Sequence, residues 1–218
     1  DSDDLWLPWA LGVYREVTER HGRPAFVTGA HVDFHEPSEL AAVREGPVEA
    51  EVFPDYYASS DAWRWYSASS FVIRRDAFER VGGFTPVWVN GEDADLAMRL
   101  GVERGFVHLV WPVTFGYRVH AVSAMANLSK TLAGLNFGID NELRGRYPGG
   151  KSRRRERWAI LCRFSRPLTL ELVARGRCLD AWRLYLRTWG WNAALGRWKY
   201  LAAFAPTAAA AALGWRSR

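Results

Sequence analysis

Two short acidic clusters hold the side chains of this 218-residue chain best suited to chemistry: Asp1, Asp3 and Asp4 at its start, and Glu92, Asp93 and Asp95 farther along. Carboxylates one residue apart offer hard oxygen ligands to a divalent cation such as Mn2+ or Mg2+, which acts as a Lewis acid on a charged leaving group. A carboxylate of the second cluster can serve as a general base if it is partly enclosed and within reach of a hydroxyl. Both clusters also admit plainer roles. The first can cap a helix that begins at Pro8, and the second can complement the dipole of a helix N-terminus.

Between the clusters runs Arg74-Arg75-Asp76-Ala77-Phe78-Glu79-Arg80-Val81-Gly82-Gly83-Phe84. The ordered set is Asp1-x-Asp3-Asp4-x-x-x-Pro8, then Arg-Arg-x-x-Phe-x-x-x-Gly-Gly-Phe, then Glu92-Asp93-x-Asp95-Leu96. Over residues 1 to about 120 it resembles the family 2 glycosyltransferases, which have the GT-A fold. The resemblance implies that Asp3 ligates the metal and that Asp1 touches the metal, its water or the donor ribose. It also implies that Asp93, with Glu92 beside it, takes the proton from the acceptor hydroxyl, and that one displacement inverts the anomeric configuration. His120, in Tyr117-Arg118-Val119-His120, falls where many GT-A enzymes place a histidine near the metal. It is expected as a further ligand or, alternatively, as a structural side chain, and Arg118 is expected to meet a donor phosphate bidentately. The Gly82-Gly83-Phe84 turn frames the acceptor side, so Gly83 is an acceptor-site candidate. Trp65 and Tyr66 at the rim either stack on a sugar ring or belong to the core.

The activity implied is metal-dependent transfer of a sugar from a nucleotide-diphosphate donor to a glycan, lipid-linked or other hydroxyl acceptor. In such an enzyme a nucleotide-binding half precedes the acidic turn, so the chain is expected to be truncated just before that motif. The alternative is an inactive truncated relative that serves as a membrane- or partner-binding module.

The elements that must position these residues follow from the pattern. A helix is predicted from Pro8 to Gly22, a strand with a glycine interruption over Ala25 to Phe34, and a long loop or lid over residues 35–66, which contain Pro37, Pro47 and Pro54. Ser67 to Arg74 reads as a buried strand, and Asp76 as the cap of a helix over Ala77 to Val81. A helix then begins at Glu92, and Phe106 to Trp111 is an apolar strand. The fold class is therefore α/β: the C-terminal part of a GT-A, Rossmann-like domain with a mixed sheet over residues 1–120, then a basic helical extension over 121–218. Breaks in that extension are predicted at Tyr147-Pro148-Gly149-Gly150, Arg166-Pro167, Gly176 and Pro206.

Composition bounds the rest. A hydrophobic content of 49% is enough for a packed core, and two cysteines, Cys162 and Cys178, are too few for a disulfide framework, so both are expected as free thiols. Residues 1–143 carry 12 Lys and Arg against 21 Asp and Glu, a net of −9, whereas residues 144–218 carry 17 against 3, a net of +14. Such a tail suits an anionic membrane surface or a solvated face. Tyr200 to Trp215 is apolar over 16 residues, short of the roughly 20 that span a bilayer. Trp189, Trp191, Trp198 and Trp215 interleave with Arg197, Lys199 and Arg216 as in interfacial helices, the competing expectation being a helical pair packed on the catalytic domain. The expected location is the cytoplasm, peripheral at the inner face of the plasma membrane. Arg153-Arg154-Arg155 lacks any accompanying nucleic-acid recognition motif, so no nucleic acid is expected as a partner.

Overall fold

A computed structural model describes residues 3–62, 67–87, 90–119 and 127–212. The chain is α/β, with mixed sheets followed by a helical C-terminal region. It divides into two compact units, Asp1–Trp88 with Glu92–Ala126, and Val89–Gly91 with Asn127–Arg218.

In the first unit the strands are β1 (Leu5–Trp6), β2 (Phe26–Gly29), β3 (His31–Phe34), β4 (Glu49–Phe53), β5 (Val72–Ile73), β6 (Phe106–Trp111) and β7 (Phe115–Arg118). They form a four-stranded sheet of order β4-β6-β2-β5 and a three-stranded sheet of order β1-β7-β3. β2 runs parallel to β6 and β3 parallel to β7, while β4, β5 and β1 are antiparallel to their neighbours. One stretch of chain, 26–34, thus lies beside another, 106–118, and passes from the first sheet to the second at Ala30. There Ala30 donates its N–H to Leu109 O and accepts from Thr114 N.

The predicted strand over 25–34 is therefore two strands in two sheets. The loop expected over 35–66 contains β4, paired with β6 along its whole length. Its sequence, Glu-Ala-Glu-Val-Phe, reads as a charged loop, yet it is an edge strand in which Glu49 and Val52 are exposed and Glu51 is part-buried. β7 was not foreseen either. Of the strand expected over 67–74, only β5 exists, because Ala68–Ser70 forms a 3-10 turn capped by Ser67, whose Oγ accepts from Ser69 N.

Helix α1 (Ala10–Arg20) buries Ala10, Val13, Tyr14 and Val17, a one-faced stripe at helical spacing, against Val27, Val107 and Leu109. It starts two residues after Pro8, with Trp9 as its N-cap. On the other face of β2 and β6 the alternation of side chains gathers Phe26, Phe53, Tyr56, Phe71 and Phe106 into one aromatic layer, with ring centroids 4.8–5.8 Å apart. Helix α2 (Arg75–Arg80) carries Asp76 in its first turn rather than as its cap, where it pairs with Arg74 and Arg80. Helix α3 (Glu92–Arg99) begins where predicted, and Tyr57 Oη fastens its end by donating to Met98 O at 2.6 Å.

The second unit holds α4 (Leu128–Leu143), α5 (Arg154–Ala174), α6 (Cys178–Ala194) and α7 (Trp198–Ala212). The breaks at 147–150 and Gly176 are present, but α5 runs through Pro167 and α7 through Pro206. Both prolines face solvent, where water can satisfy the carbonyl a proline leaves without its helical donor. Both cysteines are free thiols, and burial pushes Cys162 up to about 11. Among the described residues no helix is long and apolar enough to cross a membrane.

At Gly29, the last residue of β2, Tyr14 of α1 and Thr114 crowd the backbone. A Cβ there would lie 2.5 Å from Tyr14 Oη and 2.5 Å from Thr114 Oγ1. Gly29→Ala is expected to force these two groups apart and destabilise the protein by about 1–3 kcal/mol, as overpacking does, measured by urea unfolding. A change within experimental error would show that the Tyr14–Thr114 pair can give way freely.

Candidate functional site

The acidic segment at the chain start is held from three sides. Asp4 Oδ1 accepts from the Arg118 backbone N–H at 3.0 Å, and Asp4 Oδ2 accepts from Ser69 Oγ at 2.5 Å. Arg118 also donates from Nε to Asp3 O at 3.2 Å and from Nη1 to His35 O at 3.1 Å, with its guanidinium over the Phe34 ring at 4.6 Å. Arg118 was expected on a donor phosphate. In the structure its backbone and two guanidinium nitrogens hold the acidic segment and the end of β3 in place, so it positions Asp3 and Asp4 whatever else it meets.

The second cluster distributes its carboxylates differently. Asp95 is buried and pairs with Arg99 Nε at 2.8 Å. Arg99 Nη1 in turn donates to Val81 O and Gly83 O, each at 2.6 Å, which fixes the Gly82-Gly83 turn against α3. Gly83 itself has φ +67 and packs close to Phe78. Glu92 is exposed. Asp93 lies between these extremes: its Oδ1 accepts from Ala94 N at 2.7 Å, and its carboxylate also accepts from the backbone N–H of Ala68. Burial pushes its pKa above the ordinary aspartate value, the negative charge of Glu92 adds to that, and the backbone donors pull the other way.

The two clusters meet on the Ser67–Ser70 turn. Ser69 donates its hydroxyl to Asp4 Oδ2 and accepts from Trp6 Nε1 at its carbonyl oxygen at 2.8 Å, and the preceding residue supplies its N–H to Asp93. Tyr14 closes the arrangement, with Oη donating to Ser70 O at 3.0 Å and accepting from Thr114 Oγ1 at 2.8 Å. Burial raises the Tyr14 phenol to about 12. This constellation lies toward the carboxyl ends of the parallel β2 and β6, the side on which open α/β sheets bind ligands. A shallow apolar cleft lined by Thr18, Arg23, Val72 and Arg74 sits toward the other end of β2 and touches none of these acids.

Asp1, Trp65, Tyr66 and His120 lie outside the described residues. Among the described residues no group of three His, Cys, Asp or Glu side chains is arranged to hold a metal. Asp3, half-buried beside Asp4, contributes a hard oxygen donor that fits Mn2+ or Mg2+, and its completing ligands would be Asp1 and His120.

Sequence reasoning missed Ser69, Asp4 as an anchor, and His31. His31 Nε2 lies 3.3 Å from Asp33 Oδ1, and burial lowers its pKa against the charges of Asp33 and Asp4. A detectable signal was Ser67-Ala68-Ser69-Ser70, whose hydroxyls favour a turn over a strand. No model of a known protein family matches the chain, and no curated protein matches it.

Because its folded-state pKa is raised, Asp93 favours the folded state in its protonated form. Its unfavourable contribution is absent below the ordinary aspartate range and grows as pH rises toward its elevated folded value. Asp93→Asn is therefore expected to be more stable than the parent protein near neutral pH, with the difference closing as pH falls through the ordinary aspartate range. Urea unfolding of both proteins across this window measures it. A difference independent of pH would show that Asp93 ionises without penalty.

Proposed function

We propose that the chain is the metal- and acceptor-side portion of an inverting glycosyltransferase of the GT-A type, moving a sugar from a nucleotide-diphosphate donor to an acceptor hydroxyl. The observation that carries this reading is the convergence of Asp4, the neighbour of Asp3, and Asp93 on one short turn, Ser67–Ser70. Two carboxylate sites with different environments, held a fixed way apart, are what such a reaction requires: one to meet a cation, one to meet a proton.

Asp93 acts as the base. An enclosed carboxylate whose pKa is raised by burial takes a proton more readily than a solvated one, and exposed Glu92 beside it adds to that basicity. The acceptor O–H proton moves to Asp93 while the acceptor oxygen bonds to the anomeric carbon. The bond from that carbon to the diphosphate oxygen breaks with its electron pair leaving on the nucleotide, and the configuration inverts. Asp3, with Asp1 and His120, would hold Mn2+ or Mg2+, which when bound neutralises charge developing on the leaving diphosphate. Arg118 keeps Asp3 in register, and the Gly82-Gly83 turn, gripped through Arg99, borders the acceptor side with Trp65 and Tyr66 expected at its rim.

The test uses the enzyme with the nucleotide-binding half that this reading expects before Asp1. Asp3→Asn should weaken metal-dependent donor binding, because a neutral amide is a poorer ligand for a hard cation. Asp93→Asn should leave donor and metal binding nearly unchanged while lowering transfer by roughly 10²-fold or more, the loss expected for a positioned base. Titration calorimetry with donor and Mn2+ beside a transfer assay separates the two effects. Near-normal turnover by Asp93→Asn would move the base to another residue, and failure of the parent enzyme to transfer from any nucleotide sugar would overturn the reading.

A further inference from the structure

One end of the helical unit collects tryptophans and cations. There the first turn of α5 meets the last turn of α6, and α7 starts three residues beyond α6. Arg155 Nη1 donates to Ala194 O at 2.6 Å, and Trp158 stacks on Trp191 with centroids 5.8 Å apart and rings within 9° of parallel. Arg154 lies over the outer side of this pair, 5.3 Å from the Trp158 ring centroid. Close by in the chain, Trp189 and Trp198 are 47% and 61% exposed, too much surface for a core role. Arg154, Arg155 and Lys199 are exposed as well.

Two further observations decide what could cover this end. Residues 127–218 hold five acidic side chains, and each already pairs with an arginine: Asp140 with Arg187, Glu142 with Arg157, Glu156 with Arg153, Glu171 with Arg175 and Asp180 with Arg177. The acids are thus spent within the unit, and most of the described cations left over, Arg144, Arg146, Lys151, Arg154, Arg155 and Lys199 among them, are exposed. Helix α7, moreover, is apolar on its outward side as well as its inward one. Leu201, Phe204 and Ala208 are buried, while Trp198, Ala202, Ala203, Ala205, Pro206 and Ala209 are exposed, with Lys199 and Thr207 the polar residues among the exposed positions. A nucleic acid would satisfy the cations and leave that apolar side in water. A bilayer surface satisfies both, since indole rings and alanine-rich helix sides settle at the headgroup boundary while arginine and lysine meet lipid phosphates.

We propose that this end of the helical unit, centred on Arg154, Trp189, Trp198 and Lys199, docks on the surface of an anionic lipid bilayer without crossing it. The proposal stands independently of the transferase reading.

The test uses the whole 218-residue chain, with flotation on phosphatidylcholine vesicles and on vesicles that also carry phosphatidylglycerol. Binding is expected on the anionic vesicles, to weaken sharply in high salt, and to drop roughly five-fold for each of Arg154→Ala and Lys199→Ala, as for cations near a charged surface. Trp189→Ala with Trp198→Ala should weaken it further without altering the fold, because both side chains are exposed and outside the core; circular dichroism checks this. Four results would each overturn the proposal: no binding to either vesicle, equal binding to both, parent-like binding by the tryptophan pair variant, or stronger binding to random-sequence duplex DNA than to anionic vesicles.

Discussion

The first unit depends on how one three-residue turn is held. Ala68–Ser70 has few backbone hydrogen bonds of its own, so its place is set by side chains from far along the chain: Asp4 and Trp6 on Ser69, Tyr14 on Ser70, and Asp93 on Ala68. A neutral buried hydrogen bond contributes about 0.5–1.5 kcal/mol net, and one to a charged group about 1.5–3 kcal/mol. Four such bonds are comparable in size to a small domain's whole margin of stability. Their removal would therefore free the turn, and with it the pairing of β5 on β2 and the mutual placement of both acidic clusters. Gly29 belongs to the same constraint, since only a residue without a side chain leaves room for the Tyr14–Thr114 bond above the sheet.

Environment sorts the carboxylates into roles that their types do not reveal. Asp4 accepts from a hydroxyl and a backbone amide, and Asp95 is bound by Arg99; both tie distant parts of the scaffold together. Asp93 has backbone donors as well, yet burial outweighs them and raises its pKa. Two carboxylates of one helical turn thus stand in different surroundings, Asp95 paired with an arginine and Asp93 pushed by burial toward its neutral form. Arg118 shows the same division among cations. Its geometry spends donors on Asp3 O and His35 O, so it supports the acidic segment from behind.

Much of this was legible where local chemistry and periodicity agree. The α1 stripe, the start of α3 at Glu92, the buried run of β6 and the break at 147–150 all follow from spacing and turn residues. β4 and β7 were hidden because an edge strand and a four-residue strand carry little pattern, and their existence depends on partners more than fifty residues away in sequence. The prolines of α5 and α7 misled for a related reason. Their positions on the outward helix sides decide their cost, and sidedness is a tertiary property. Within the candidate site, the acidic motifs of Asp3 and Asp93 were legible as motifs, whereas the anchoring by Ser69, Tyr14 and Arg118 was not, because each acts across a separation that no local motif encodes.

The two units differ in sign as well as in architecture. The residues of the first carry 11 Lys and Arg against 19 Asp and Glu, those of the second 18 against 5. An anionic surface would repel the charge of the one and attract that of the other, over a screening length of about 8 Å at physiological salt. The pairing of every acid in the second unit with an arginine then has a consequence beyond stability. Each carboxylate is neutralised inside the unit and so opposes an anionic partner less, including at the tryptophan-bearing end, where rings can be desolvated alongside the charges.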